Sequence, residues 1–166
     1  DGHNARLILQ NPDDVALFEH AGFVDASHIR LIPGSGVDCS RFSAIERVRD
    51  PGQPLRVLLA ARLLWDKGVA EFVEAARQLQ AQGRAIEFLL AGDPDPGNPA
   101  AVPEASIREW GDSGVLQWLG HVDDMPALFA SVDVVVLPSY REGLPKGLIE
   151  AAACALPLVT TDVPGC

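Results

Sequence analysis

Apolar residues fall in short runs separated by stretches of helical periodicity along nearly the whole chain. Residues 6–10 read as a strand. Asn11-Pro12-Asp13-Asp14 then offers a side-chain cap, a proline at the first helical position and acids in the first turn, predicting a helix that ends near Ala21-Gly22. Residues 28–32 form a second short strand, and Pro33-Gly34-Ser35-Gly36-Val37-Asp38 a loop. After the linker Pro51-Gly52-Gln53-Pro54, residues 56–61 are apolar without alternation, the pattern of a strand covered on both faces. Residues 69–82 place Val69, Phe72, Val73, Ala76 and Leu79 on one helical face, closed by Gly83. Strands are predicted at 86–91, 115–119, 132–137 and 158–161, and helices at 103–110, 125–130 and 145–155. The proline-rich stretch 92–99 is a loop.

Strand–helix alternation at these spacings predicts βαβ units: an α/β domain built on a doubly wound parallel sheet with helices on both faces. Residues 51–166 are expected to form that domain, truncated at its C-terminal end. Residues 1–50 are expected to be the end of a preceding domain or a hinge. No internal repeat is visible.

The chain has 166 residues, 48% hydrophobic and 22% charged, so it can bury a real core and is not a disordered sequence. Thirteen Lys+Arg against 23 Asp+Glu leave a net charge of −10, which argues against a nucleic-acid groove or an anionic membrane as the main partner. No apolar run approaches the ~18–20 residues of a membrane span, and no secretory signal pattern opens the chain. A soluble, cytoplasmic piece of a longer protein is expected, since Met125 is the only methionine and the sequence stops after the turn-like Val163-Pro164-Gly165. Cys39, Cys154 and Cys166 form no C-x-x-C pair, which suits reduced thiols and gives no zinc signature.

In open α/β sheets ligands bind beyond the carboxyl ends of the strands, so the loops that follow each strand matter most. Arg62-Leu63-Leu64-Trp65-Asp66-Lys67-Gly68 brings two cations and a glycine into one such loop. Lys67 sits near a helix N-terminus, where the macrodipole opposes its charge and a bound anion would remove the conflict. An arginine fork with a lysine point charge suits a diphosphate; a solvated loop with ordinary surface cations is the competing reading. After residues 132–137, Pro138 to Gly147 offers main-chain N–H groups at another helix start. Glu142 and Glu150 could face one cleft and accept bonds from vicinal hydroxyls, or could simply favour the helix N-terminus.

Weaker candidates surround these loops. Gly34-Ser35-Gly36 lacks the third glycine of a dinucleotide fingerprint, because Cys39 occupies that position, and no phosphate-binding P-loop occurs. Asp93-Pro94-Asp95 resembles a metal-binding acid pair but reads more simply as a turn. Asp123-Asp124 reads as an N-cap pair. His121 follows a strand and is either near a ligand or structural. Trp65, Trp110 and Trp118 read as packing residues.

Glu142-Gly143-Leu144-Pro145-Lys146-Gly147-Leu148-Ile149-Glu150-Ala151 is a Glu-x7-Glu motif. With Arg62…Lys67-Gly68, Gly36-Val37-Asp38…Phe42 and Thr160-Thr161-Asp162-Val163-Pro164-Gly165, it makes the chain resemble the retaining GT-B glycosyltransferases of family 4. The wording of the two loops is similar to the branch that builds bacterial capsular, O-antigen or other lipid-carrier-linked polysaccharides. The resemblance runs from about Ile32 to Cys166, and Asn11-Pro12-Asp13-Asp14 resembles the segment ahead of the family's interdomain hinge. It implies a Rossmann-like donor-binding domain in which Arg62 and Lys67 hold the diphosphate of a nucleotide-sugar, with UDP the expected nucleotide. Glu150 would take the ribose hydroxyls, and Glu142 would act catalytically beside the donor sugar. The backbone of Gly143, Leu144, Pro145 and Lys146 would approach sugar and phosphates, and His121-Val122 would read the base.

The resemblance further implies no cofactor and no metal. The acceptor, a saccharide or lipid-carrier-linked saccharide, would be held by an N-terminal domain outside this sequence, so the piece alone is expected to be inactive. No direct membrane contact by this piece is implied, the whole enzyme being at most peripheral on the inner membrane face. Ala155 stands where the family often has glycine. A non-catalytic nucleotide-binding or interaction domain, and half of a GT-B sugar-nucleotide epimerase, are the alternatives.

Overall fold

The computed structural model describes residues 5–44, 46, 50 and 52–166; Pro51 of the expected linker lies outside them. Strands β1 (Leu7–Leu9) and β2 (Ile29–Leu31) pair in parallel and are joined by helix α1 (Pro12–Ala21). Asn11 caps α1 by accepting the Asp14 N–H at 2.7 Å, and Gly22 ends it in the left-handed conformation at φ 66°. Residue 28, expected in the strand, instead closes a turn over Ala26–His28 that Asp25 caps by accepting the Ser27 N–H.

The remaining elements are β3 (Leu55–Ala60), α2 (Val69–Ala81), β4 (Ile86–Ala91), α3 (Glu104–Asp112), β5 (Gln117–Gly120), α4 (Met125–Ala130), β6 (Val134–Leu137), α5 (Lys146–Ala153) and β7 (Leu158–Thr160). Their five strands form one parallel sheet in the order β5-β4-β3-β6-β7. The sheet is doubly wound as expected. Alternate residues of β3, β4 and β6 enter two cores. Leu58, Leu89, Val135 and Leu137 pack with Leu128 and Phe129 of α4 and Leu148 and Ala151 of α5. Val57, Leu59, Phe88 and Leu90 pack with Phe72, Val73 and Ala76 of α2 and Ile107 and Trp110 of α3. Phe42, from the segment ahead of β3, joins the first core with its ring 6.2 Å from Phe129. Burying each such side chain contributes roughly 1.5–3 kcal/mol, so both faces are needed to hold the sheet.

Two strands start later than their apolar runs suggest. The Val115 N–H donates to the Trp110 carbonyl, and the Val132 N–H to the Phe129 carbonyl, so each valine finishes the preceding helix. An apolar residue serves equally well as a plug beneath a helix end, which is why the run alone misplaces the boundary.

Candidate functional site

The chain runs from β3 to β4 to β5 on one side and returns through α4 to β6 on the other side of β3. The β3–β6 boundary is therefore the switch point where the loops after the two strands part and leave a crevice. After β3, buried Leu63 and Leu64 hold the loop down, and a turn at Trp65–Lys67 leads to Gly68 at φ 73°. A Cβ on Gly68 would overlap the Pro138 carbonyl, so glycine permits both the left-handed turn and the close approach of the β6 loop. Trp65 packs edge-on against Trp110 at 6.2 Å, and the Trp118 indole N–H donates to the Gly92 carbonyl at 2.9 Å, so all three tryptophans are structural.

Lys67, immediately before α2, points its Nζ 2.5 Å from Glu142 Oε1. Ser139, fully buried, donates its hydroxyl to the same oxygen at 2.6 Å. The Lys67 and Glu142 side chains are only 18% and 10% exposed. The anion that relieves Lys67 at this helix start is thus a carboxylate of the protein itself. Among the described residues, Glu142 Oε2 has no partner of its own.

The loop after β6 is anchored on several sides. The Glu142 N–H donates to the Pro164 carbonyl at 3.0 Å, and the Tyr140 N–H to the Asp66 carbonyl at 3.0 Å. Thr160 Oγ1 donates to the Leu137 carbonyl at 2.8 Å and Thr161 Oγ1 to the Ser139 carbonyl. Gly165, at φ 86°, lies so close to the Glu142 carbonyl that any side chain would collide with it. The Tyr140 hydroxyl donates to Glu71, whose carboxylate pushes the phenol above its ordinary range. Earlier in the chain, the hydroxyl and N–H of Ser40 bond Asp38 and hold its carboxyl below the usual carboxylate value.

Beside this loop, a cavity of about 520 Å³ opens at the carboxyl ends of β3, β4 and β5. Ala60, Ala61 and Met125 give it apolar walls, while Arg62, His121 and Glu150 contribute polar groups. Glu150 is buried and lies 3.4 Å from Lys146 Nζ. Arg62 is 67% exposed, with Nη1 3.4 Å from Asp95 Oδ2. His121 sits between Asp93 (3.5 Å) and Asp123 (3.3 Å). Asp93 and Asp95 therefore face different partners, and no group of three or more metal-ligating side chains converges among the described residues. Of the pair Asp123-Asp124, only Asp124 caps α4, by accepting the Ala127 N–H.

The structure thus brings Arg62, His121, Val122 and Glu150 to one cavity and pairs Lys67 with Glu142 outside its lining. Leu144 lines a separate hollow of about 650 Å³ beside Asn11 and residues 162–166. Pro145 precedes α5, which starts without a side-chain cap, and Gly147 in its first turn lines the first cavity. Ser139 carries no signal in the sequence beyond being a polar residue that follows a strand, and Asp95, singled out there as one of an acid pair, instead faces Arg62.

The family described as "Glycosyl transferases group 1" matches residues 54–166. The chain is 39% identical over 110 residues to the N,N'-diacetylbacillosaminyl-diphospho-undecaprenol alpha-1,3-N-acetylgalactosaminyltransferase of Campylobacter jejuni, covering 66% of this chain and 27% of that one. It is 34% identical over 134 residues to the putative colanic acid biosynthesis glycosyltransferase WcaL of Salmonella typhimurium, covering 76% and 32%. The chain therefore spans about a third or less of the length of these relatives. Its fold is similar to that of Anabaena Alr3699/HepE, solved in complex with UDP and glucose, with a TM-score of 0.77, 23% identity and coverage of 97% and 45%.

Proposed function

Because the chain belongs to the group 1 glycosyl transferases, we propose that it is the donor-binding part of a retaining GT-B enzyme of family 4. That enzyme moves a sugar from a nucleotide-diphospho-sugar to a saccharide or lipid-carrier-linked saccharide in polysaccharide synthesis. The observation that carries this reading is the convergence of Arg62, His121 and Glu150 on one cavity between α5 and the carboxyl ends of β3, β4 and β5, next to the Lys67–Glu142 pair. The Arg62–Asp95 contact is an exposed pair of about 0–1 kcal/mol, which a diphosphate displaces at little cost. The uncapped first turn of α5 offers N–H groups to the same phosphates. Glu150, buried at the cavity wall, accepts bonds from the ribose hydroxyls, and His121 and Val122 border the base.

Glu142 acts on the sugar through Oε2, while Lys67 and Ser139 hold Oε1 and keep the side chain in place. Lys67, Arg62 and the α5 N-terminus stabilise the charge that develops on the leaving diphosphate, so transfer proceeds without a metal and survives chelators. UDP is the proposed nucleotide, supported by the UDP bound in the structurally similar HepE. Among the described residues no helix is long and apolar enough to cross a membrane; a cytoplasmic site of action is proposed from the family resemblance. Exposed Ile8, Phe23, Leu31 and Ile32 support the packing of a further part of the protein, holding the acceptor, against β1–α1–β2.

The test is calorimetric titration with UDP, GDP and ADP on the wild type, Arg62→Ala and Glu150→Ala. UDP is expected to bind, and each substitution to weaken it by the ~1.5–3 kcal/mol of a hydrogen bond to a charged group. Absence of nucleotide binding in the full-length protein would refute the reading.

A further inference from the structure

Among the described residues, the buried polar and charged side chains are Asn11, Ser139 and Glu150. Ser139 and Glu150 belong to the site above. Asn11 lies in the other sheet's βαβ unit, yet its amide reaches the donor loop. Its Oδ1 caps α1 through the Asp14 N–H at 2.7 Å. Its Nδ2 donates to the Glu142 carbonyl at 3.1 Å, the Gly143 carbonyl at 3.0 Å and Asp14 Oδ2 at 2.9 Å. Two N–H bonds serve three acceptors, so one is shared. The orientation is forced: the reversed amide would set an oxygen against three acceptors and an NH₂ against an N–H. Asp14, held by Nδ2 through one oxygen, takes Arg141 of the donor loop on the other.

A cap alone needs only an acceptor, and serine or aspartate supplies one as well as asparagine does. The amide nitrogen is the part of Asn11 that capping leaves unused, and it is spent on the backbone of the residue that acts on the sugar. With the Glu142 N–H fixed by Pro164 and its carbonyl fixed by Asn11, both peptide planes that flank its side chain are held. We propose that Asn11 is a positioning residue: its side-chain amide sets the backbone of Glu142 and Gly143, and with it the placement of the Glu142 carboxylate. The catalytic consequence rests on the donor-site reading; the structural one does not.

The test uses the full-length protein with Asn11→Ser and Asn11→Asp, which keep a capping oxygen and remove the Nδ2 donor. Ala16→Gly, on the exposed side of α1, is the control that weakens the helix and leaves the amide in place. Amide hydrogen exchange across residues 139–145 is expected to quicken at least tenfold in both Asn11 variants and to stay at the wild-type rate in Ala16→Gly. With UDP-sugar as donor, kcat is expected to fall at least tenfold while the affinity for free UDP falls by a smaller factor, since Arg62, His121, Val122 and Glu150 line a cavity that Asn11 does not touch. Wild-type exchange in the Asn11 variants overturns the positioning role, whether or not UDP binds. Faster exchange with unchanged kcat overturns its catalytic consequence. A wild type that binds no UDP refutes the donor reading, and the exchange data then decide the role of Asn11 alone.

Discussion

Neutralising either member of the Lys67–Glu142 pair leaves the other charge in a site that offers it little water. With Lys67→Met, the Glu142 carboxylate, 10% exposed, keeps only the Ser139 hydroxyl. With Glu142→Gln, the ammonium, 18% exposed, faces a neutral amide. Breaking a buried pair from one side costs about 3–5 kcal/mol. The residual exposure and the Ser139 bond put each variant at the lower end, about 3 kcal/mol. The double variant carries no charge at all. With no unpaired charge left behind, it is expected to lose no more than about 1 kcal/mol, where independent sites would lose about 6, a coupling of about 5 kcal/mol. Urea titration of the 166-residue chain reads this directly: at a slope near 2 kcal/mol per molar, each single variant shifts the midpoint by about 1.5 M and the double by no more than about 0.5 M. Losses that add to within about 0.5 kcal/mol would mean that the two side chains do not depend on each other, and the reading of Glu142 as the anion that Lys67 requires would fall.

Other outcomes follow from single positions. Gly68→Ala combines a left-handed backbone with a collision against the Pro138 carbonyl, whereas Gly83, at φ 67°, has open space around it. Thermal unfolding should show a loss above about 3 kcal/mol for the first and about 1 kcal/mol for Gly83→Ala; equal losses would refute the close approach of the two loops. Ala155 follows α5 at φ 55°, the one non-glycine residue with positive φ among those described. Ala155→Gly should therefore stabilise the chain by about 0.5–1 kcal/mol in the same assay, and a destabilisation would contradict the left-handed C-terminus. The Asp38 carboxyl should titrate below its ordinary 3.8 when followed by NMR, and Ser40→Ala should return it upward. Since the folded value is lowered, this contribution to stability is complete above 3.8 and is lost as pH falls through the folded value.

The order of strands and helices was legible in the sequence, because local spacing and turn residues decide it. The unalternating β3, the helical face of α2 and the Asn11 cap all stand where the spacing places them. So do the loops that carry Arg62, Lys67 and Glu142 and the helix that carries Glu150, since a doubly wound sheet collects its functional loops and helix starts at the carboxyl ends of its strands. The glycine that the resemblance expects at residue 155 has its reason in the backbone: α5 ends there in a conformation that alanine adopts under strain. What remained open was every partner far along the chain. Only the assembled fold decided that Lys67 meets Glu142, 75 residues on, that Arg62 faces Asp95, and that the Asn11 amide reaches the Glu142 carbonyl 131 residues away. Residue type states what a side chain can bond to. Strand order, register and loop packing are settled together by the burial of both sheet faces, and they decide which of the possible partners stands within reach.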